Sequence, residues 1–260
     1  MKKAISSILI LFAVAMMIFS VYSIGQSTAK TNPIHKTVST GIVVLELFTS
    51  QGCSSCPPAD AVLAKYAKVN DPNIITLAFH VDYWNYIGWK DPFSKAQYSQ
   101  RQREYAENFD SDGVYTPQLI INGKHELVGS KESEIANLVT KETSLFNTSS
   151  IKIISSKLLE NQLIVKFSAL ENNSNSLVNL ALIKKKEFTK IKRGENNGLE
   201  QTSYSIVYDF KTVPLNNSKE SEVSFNFQND WKSSDFMIVA YIQNKTNATI
   251  STGIKSEINL

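Results

Sequence analysis

Cys53 and Cys56 are the only cysteines in this chain, and they lie between an apolar run suited to a buried strand and a run suited to a helix. Pro57 and Pro58 follow at once. Two consecutive prolines fit a helix only in its first turn, so the helix must start close to Cys56. Both sulfurs are therefore expected at its N-terminal mouth, where the helix dipole favours a thiolate and a Cys-x-x-Cys pair can open and close. Stability is a poor reason for such a pair, because a bond across two residues closes a very short loop and constrains the unfolded chain little.

Residues 1–29 read as a secretory signal: Lys2 and Lys3, an apolar run from Ile8 to Phe19, then Ser27-Thr28-Ala29. The uncharged stretch from Ala4 to Ile24 is also long enough to span a bilayer, so an uncleaved anchor is the alternative. Without this segment the formal charge falls from +3 to about +1, a balance that predicts no polyanion partner. The basic cluster Lys184, Lys185, Lys186, Lys190, Lys192 and Arg193 reads as a solvated hairpin, not a nucleic-acid surface. The expected location is exported, periplasmic or secreted, with membrane contact only if the leader stays attached. In that oxidising setting the chain carries no long-range bridge.

Two domains are expected in what remains. Residues 41–146 alternate strand and helix: Ile42 to Phe48, a helix to about Val69, Ile74 to Val81, a helix from about Phe93 to Phe109, then Thr116 to Ile121 and His125 to Val128 joined at Asn122-Gly123, a strong hairpin signal. Ser130 can cap a last helix with Glu132 and Glu134 in its first turn. A right-handed crossover makes the first two strands parallel and brings His80, Asp82, Tyr83 and Trp84 toward the sulfurs. Asn147 to Ser150 reads as a linker. Residues 151–260 alternate apolar and polar side chains in about seven short runs, the pattern of a β-sandwich. The expected fold class is thus an α/β domain, which resembles thioredoxin in its order of elements, followed by an all-β sandwich domain.

The strand and helix order is that of thioredoxin, in which the proline before the third strand is cis and faces the disulfide; Thr116-Pro117 resembles that position. The stretch Glu46-Leu47-Phe48-Thr49-Ser50-Gln51-Gly52-Cys53-Ser54-Ser55-Cys56-Pro57-Pro58-Ala59-Asp60 resembles the signature of a family of exported bacterial thioredoxin-like proteins of unknown function. Phe79-His80-Val81-Asp82-Tyr83-Trp84, Val114-Tyr115-Thr116-Pro117-Gln118 and Arg193-Gly194-Glu195-Asn196 are similar to its other motifs. The resemblance implies thiol-disulfide exchange by fold analogy, with Pro117 keeping metals off the sulfurs and Thr116 placed to pair with an extended substrate.

From the residues, Cys53 is the expected exposed attacking sulfur and Cys56 the resolving one. His80 either assists proton transfer to Cys56 or orients a loop. Glu46, a carboxylate in an apolar strand, either accepts the proton of the resolving thiol or is a structural group. Trp84, with Tyr83, Tyr86 and Trp89, either lines a platform for an unfolded polypeptide or belongs to the core, with one ring at most exposed. No organic cofactor is called for. The partners expected are protein thiols or disulfides and a redox partner protein. The competing functions are a copper-binding envelope protein using Cys53, Cys56 and His80 for Cu(I), and an interaction module with an idle disulfide.

Overall fold

In the computed structural model, residues 41–145, 149–171, 175–217 and 219–260 are described; the leader lies outside them, as do Asn147 and Thr148 of the expected linker. Strand β1 (Val43–Thr49) is buried along its whole length and feeds the cysteine turn, and helix α1 (Pro57–Val69) follows with both prolines in its first turn. Strand β2 (Ile74–His80) lies parallel to β1, with Thr49 opposite His80. Helix α2 (Ala96–Asn108) leads to β3 (Gln118–Ile121), which pairs antiparallel with β1 and turns into β4 (His125–Val128). Asn122 and Gly123 both adopt positive φ, 51° and 64°, as a tight hairpin turn of the primed type requires. Helix α3 (Glu132–Thr143) starts after Lys131, without a side-chain cap from Ser130.

The remaining strands are β5 (Ser150–Leu159), β6 (Gln162–Leu170), β7 (Ser176–Lys190), β8 (Glu200–Pro214), β9 (Glu220–Asn226), β10 (Phe236–Asn244) and β11 (Ile250–Glu257). They overturn the expected fold class. The chain does not form an α/β thioredoxin-like domain followed by a separate sandwich; it is mostly strand, with one mixed eight-stranded sheet in the order β11-β10-β7-β8-β2-β1-β3-β4. The junction is the parallel contact of β2 with β8, at Ala78 and Ile206. Its physical reason is burial on both faces of β7, where Leu180 and Leu182 face one core and Ala181 and Ile183 another. Such a continuous apolar run belongs inside a wide sheet, not at the skin of a small sandwich. The smaller sheet, β5-β6-β9, packs its Leu163, Val165, Phe167 and Phe225 against this same β7 and β10 end.

The sheet separates two layers near the cysteines. Leu45 and Leu47 of β1 pack with Ala59, Val62 and Leu63 of α1 and Ile135 of α3. Val44 and Phe48 point the other way, into a core shared with Tyr98 and Tyr105 of α2 and with Val207, Phe210 and Tyr241 from the C-terminal half. Among the described residues, no helix is long and apolar enough to cross a membrane.

Candidate functional site

The β1 strand ends at Thr49, and residues 50–56 form the turn that carries the cysteines into α1. Cys53 and Cys56 are joined as a disulfide with Cα atoms 5.4 Å apart. Both residues are fully buried, so Cys53 is not the exposed sulfur that its position suggested. The cover comes from far along the sequence. The loop between β7 and β8 folds on itself through Ile191 and Leu199, and its Asn196 carboxamide donates to the carbonyls of Gln51 and Cys53, each at 2.9 Å. The neighbouring Glu195 carboxylate accepts the Ser54 N–H at 3.0 Å. The Ser54 side chain and its N–H together hold the Glu195 carboxyl below its ordinary range.

On another side stands the loop before β3. The Thr116–Pro117 peptide is cis, and the Thr116 carbonyl faces the pair at 3.9 Å from Cys53 Sγ and 3.4 Å from Ser55 Oγ. Ser55 Oγ lies 3.3 Å from Cys53 Sγ. Trp84 closes this side, donating Nε1–H to Thr116 Oγ1 at 2.8 Å; a Cβ on Gly52 would stand 3.2 Å from the Trp84 Cβ, a tight contact that glycine avoids. Trp89 donates to Gln51 Oε1 at 3.1 Å. Of the four aromatic residues Tyr83, Trp84, Tyr86 and Trp89, only Tyr86 is exposed.

The sites proposed from sequence fall into two groups. Cys53, Cys56, Thr116, Pro117 and Trp84 come together. Glu46 does not join them: it lies on the face of β1 opposite α1, fully buried, held by Arg101 Nη2 at 2.8 Å and Arg101 Nε at 3.1 Å. Tyr241 donates to the same carboxylate at 2.6 Å, and Tyr105 also donates to it. This is a closed charge network.

His80, expected near the sulfurs, has its Nδ1 2.7 Å from Asp91 Oδ2. Burial alone would lower its pKa, but the adjacent Asp91 charge and hydrogen bond, helped by Asp60, raise it. Asp91 also accepts the Gln51 N–H at 2.8 Å and the Phe93 N–H at 2.9 Å. Burial works against its charge, yet His80 and these N–H groups hold its carboxyl below the ordinary range. A direct link thus runs from the cysteine turn through Asp91 to His80. His80 Nε2 is buried without a hydrogen-bond partner.

Sequence reasoning missed Asp60. It lies one helical turn after Cys56, its N–H donating to the Cys56 carbonyl at 3.0 Å, which puts both side chains on one side of α1. Burial pushes its carboxyl up to about 6, partly offset by the nearby His80 charge and the 2.8 Å hydrogen bond from Gln201. The i, i+4 spacing from Cys56 on a helix whose Ala59, Val62 and Leu63 face the core was the available signal. Asn196 and Glu195 were visible only as a motif, because the contact they make joins residues about 140 positions apart. No group of three or more His, Cys, Asp or Glu side chains among the described residues is placed to hold a metal ion.

The arrangement defines a β-rich protein with a short-loop disulfide at a strand-to-helix junction, flanked by a cis-proline loop and a half-buried carboxyl. The chain belongs to the protein family of unknown function DUF1223, whose profile matches residues 44–243 and therefore spans the cysteine turn, the Thr116-Pro117 loop and the covering Asn196 loop. A crystal structure of a protein from Agrobacterium tumefaciens is similar over 85% of this chain and 97% of that one, at 27% identity and a TM-score of 0.62. A domain of the outer membrane lipoprotein Omp28 from Porphyromonas gingivalis matches 44% of this chain and 91% of its own, at 12% identity and a TM-score of 0.30. Among curated proteins, none matches.

Proposed function

We propose that this chain is an exported thiol-disulfide exchange protein that acts on the thiols or disulfides of other proteins through Cys53 and Cys56. The observation that carries the reading is the company of the disulfide: a carboxyl with a pKa of about 6, one turn along the same helix from Cys56. A bond that closes so short a loop adds little stability, whereas a half-buried acid tuned toward neutrality is suited to moving the proton of a resolving thiol.

In one direction, a substrate thiolate attacks Cys53 Sγ, the Cys53–Cys56 bond breaks, and the electron pair leaves on Cys56 Sγ, which is then protonated. A second substrate thiolate attacks the substrate sulfur of the mixed disulfide and releases Cys53. The substrate dithiol has lost two electrons and two protons, and the protein pair has gained them; the reverse sequence is the same steps read backwards. Asp60 gives or takes the proton at Cys56. Asp91, paired with His80, holds the Gln51 N–H and so fixes the turn. No organic cofactor takes part in these steps.

The test is the reduction potential of the pair in glutathione or dithiothreitol buffers, followed by the fluorescence of Trp84 and Trp89. A value from about −120 to −270 mV is expected, the range of exchange catalysts. A value well below about −300 mV would mark a bridge that resists exchange and would end this reading.

A further inference from the structure

Three features bear on the charge that Cys53 and Cys56 carry once the bond is open. Pro57 and Pro58 occupy the first positions of α1 and bring no N–H, so the mouth of the helix lacks the donors that would otherwise stabilise a thiolate. The Cys56 N–H is committed to the Cys53 carbonyl at 3.2 Å, the Cys53 N–H to the Ser50 carbonyl at 3.2 Å, and the Ser54 N–H to Glu195. Among the described residues, no N–H donates to either sulfur. What faces Cys53 Sγ is the Thr116 carbonyl, which can only accept, and the Ser55 hydroxyl. Finally, the Glu195 carboxylate is anchored on the next residue, and both cysteines are wholly removed from solvent. Burial, the Thr116 carbonyl and a neighbouring negative charge disfavour a thiolate, and against them stand the axial dipole of α1 and a single hydroxyl, that of Ser55 at 3.3 Å from Cys53 Sγ.

Stabilising the thiolate is what makes a dithiol pair an oxidant; a pair denied that help holds its disulfide more firmly and gives electrons away. We propose that Cys53 and Cys56 form a reducing pair, so that the substrates of the site are the disulfides of proteins and not their dithiols, with Glu195 as a residue that sets this direction. The inference rests on the exchange reading above. In the reducing direction, the Cys53 thiolate attacks a substrate disulfide and one substrate sulfur leaves with the electron pair and takes a proton. Cys56 gives its proton to Asp60 and attacks Cys53 Sγ, and the second substrate sulfur leaves. The substrate gains two electrons and two protons, and the protein is left as its disulfide. A dithiol donor must then reduce it again, which identifies the partner class as a protein that delivers electrons from a thiol pair. Asn196 and Glu195, bound to the turn by hydrogen bonds to Gln51, Cys53 and Ser54, must move aside for a protein disulfide to reach Cys53.

The full-length protein is tested in three ways. Reduction of insulin disulfides with dithiothreitol as donor is compared with oxidation of reduced, unfolded ribonuclease A; insulin reduction is expected to be the faster by at least about tenfold over the uncatalysed rate. The Cys53 thiol of the reduced protein, followed by its rate of alkylation against pH, is expected to titrate at or above the free value of about 8.5. Glu195→Gln keeps an acceptor for Ser54 but removes the charge. It is expected to shift the equilibrium with glutathione toward the dithiol by about three- to tenfold, the larger figure corresponding to about 30 mV. A Cys53 pKa below about 7, an unshifted equilibrium in Glu195→Gln, or preferential oxidation of ribonuclease A would each overturn the proposed direction. Preferential oxidation would leave exchange itself standing. If neither substrate reacts, the exchange reading fails, while the alkylation and equilibrium measurements still decide whether the pair is reducing. Glu195 is exposed, so its variant is expected to fold; an Asn196→Ala variant provides a second opening of the same cover and is expected to speed alkylation of Cys53.

Discussion

Two buried polar clusters flank the central strands, one on each face, and they are built on opposite terms. Around Glu46, every strong group is answered: Arg101 holds the carboxylate with two nitrogens, Tyr105 and Tyr241 donate to it, and Gln243 ties Tyr105 to Asn179. The Arg101 guanidinium also lies over the rings of Phe79, Tyr105, Phe210 and Tyr241. Around Asp60 and His80 the account is incomplete: His80 Nε2 is buried without a partner, and the Asp60 carboxyl is raised toward neutrality. A satisfied network fixes a fold, whereas a strained set of titratable groups beside a reactive bond is a mark of function. The difference separates a carboxylate that looked catalytic from one that carries the better claim.

The largest effect should come from breaking the satisfied side. Arg101→Leu leaves Glu46 buried with an unpaired charge, a change that costs about 3–5 kcal/mol. Chemical denaturation should show the midpoint falling accordingly, while the redox equilibrium of the folded protein moves less than about twofold. The double variant Glu46→Met with Arg101→Met, which removes the pair together, should recover most of the lost stability. A double variant as unstable as the single would mean that the tyrosines and Gln243, not the pair, hold this region.

Next comes the unsatisfied side, where the sign reverses. A carboxyl raised to about 6 binds its proton more tightly folded than unfolded, so its contribution is present at low pH and is lost as pH rises from about 4 through about 6. Above that range the ionised group is a cost. Asp60→Asn should therefore stabilise the protein at pH 8 by on the order of 1–3 kcal/mol and change little at pH 4. The same variant should slow the resolving step and remove its inflection near pH 6. Equal stabilisation at both pH values would show that packing, not charge, is responsible.

Much of the local structure was legible because its signals are local. The prolines start α1 beside Cys56, Asn122 and Gly123 supply the positive φ values of the turn, and the β1-α1-β2 crossover makes the parallel pair. What could not be read was nonlocal. Alternation in Tyr204, Ile206, Tyr208 and Phe210 suits a sandwich strand and a sheet strand alike, and the register pair that joins β8 to β2 leaves no trace in either segment alone. The same limit applied at the site. Glu46 and Thr49 differ only in parity along β1, and which parity meets α1 depends on how the layers stack. Thus the cysteines and Thr116-Pro117 could be named in advance, but Asp60 and the Asn196 cover needed the third dimension.

The smallest effect probes whether the aromatic wall of the cysteine site behaves like either cluster. Trp89 is half-buried, donates one neutral hydrogen bond to Gln51 Oε1, and offers its Cβ to Gly194 of the covering loop, where a glycine Cβ would stand at 3.2 Å. Gly194 has φ of 76°, a conformation glycine adopts at little cost, so the loop can lie close over the indole. Trp89→Phe deletes the donor and trims the half-buried ring while keeping an aromatic group at the wall, and the neutral bond it removes is worth about 1 kcal/mol. In a chain of this size that corresponds to about 2–4 °C in Tm. Tyr86→Ser, at an exposed ring in the same segment, should stay within about 0.5 kcal/mol of the parent. If Trp89→Phe costs several times more, Gln51 must depend on that bond to hold the turn through Asp91, and the wall belongs with the responsive cluster. If it costs no more than Tyr86→Ser, Gln51 is held by Asp91 and Asn196 without the indole, which serves only to pack the covering loop.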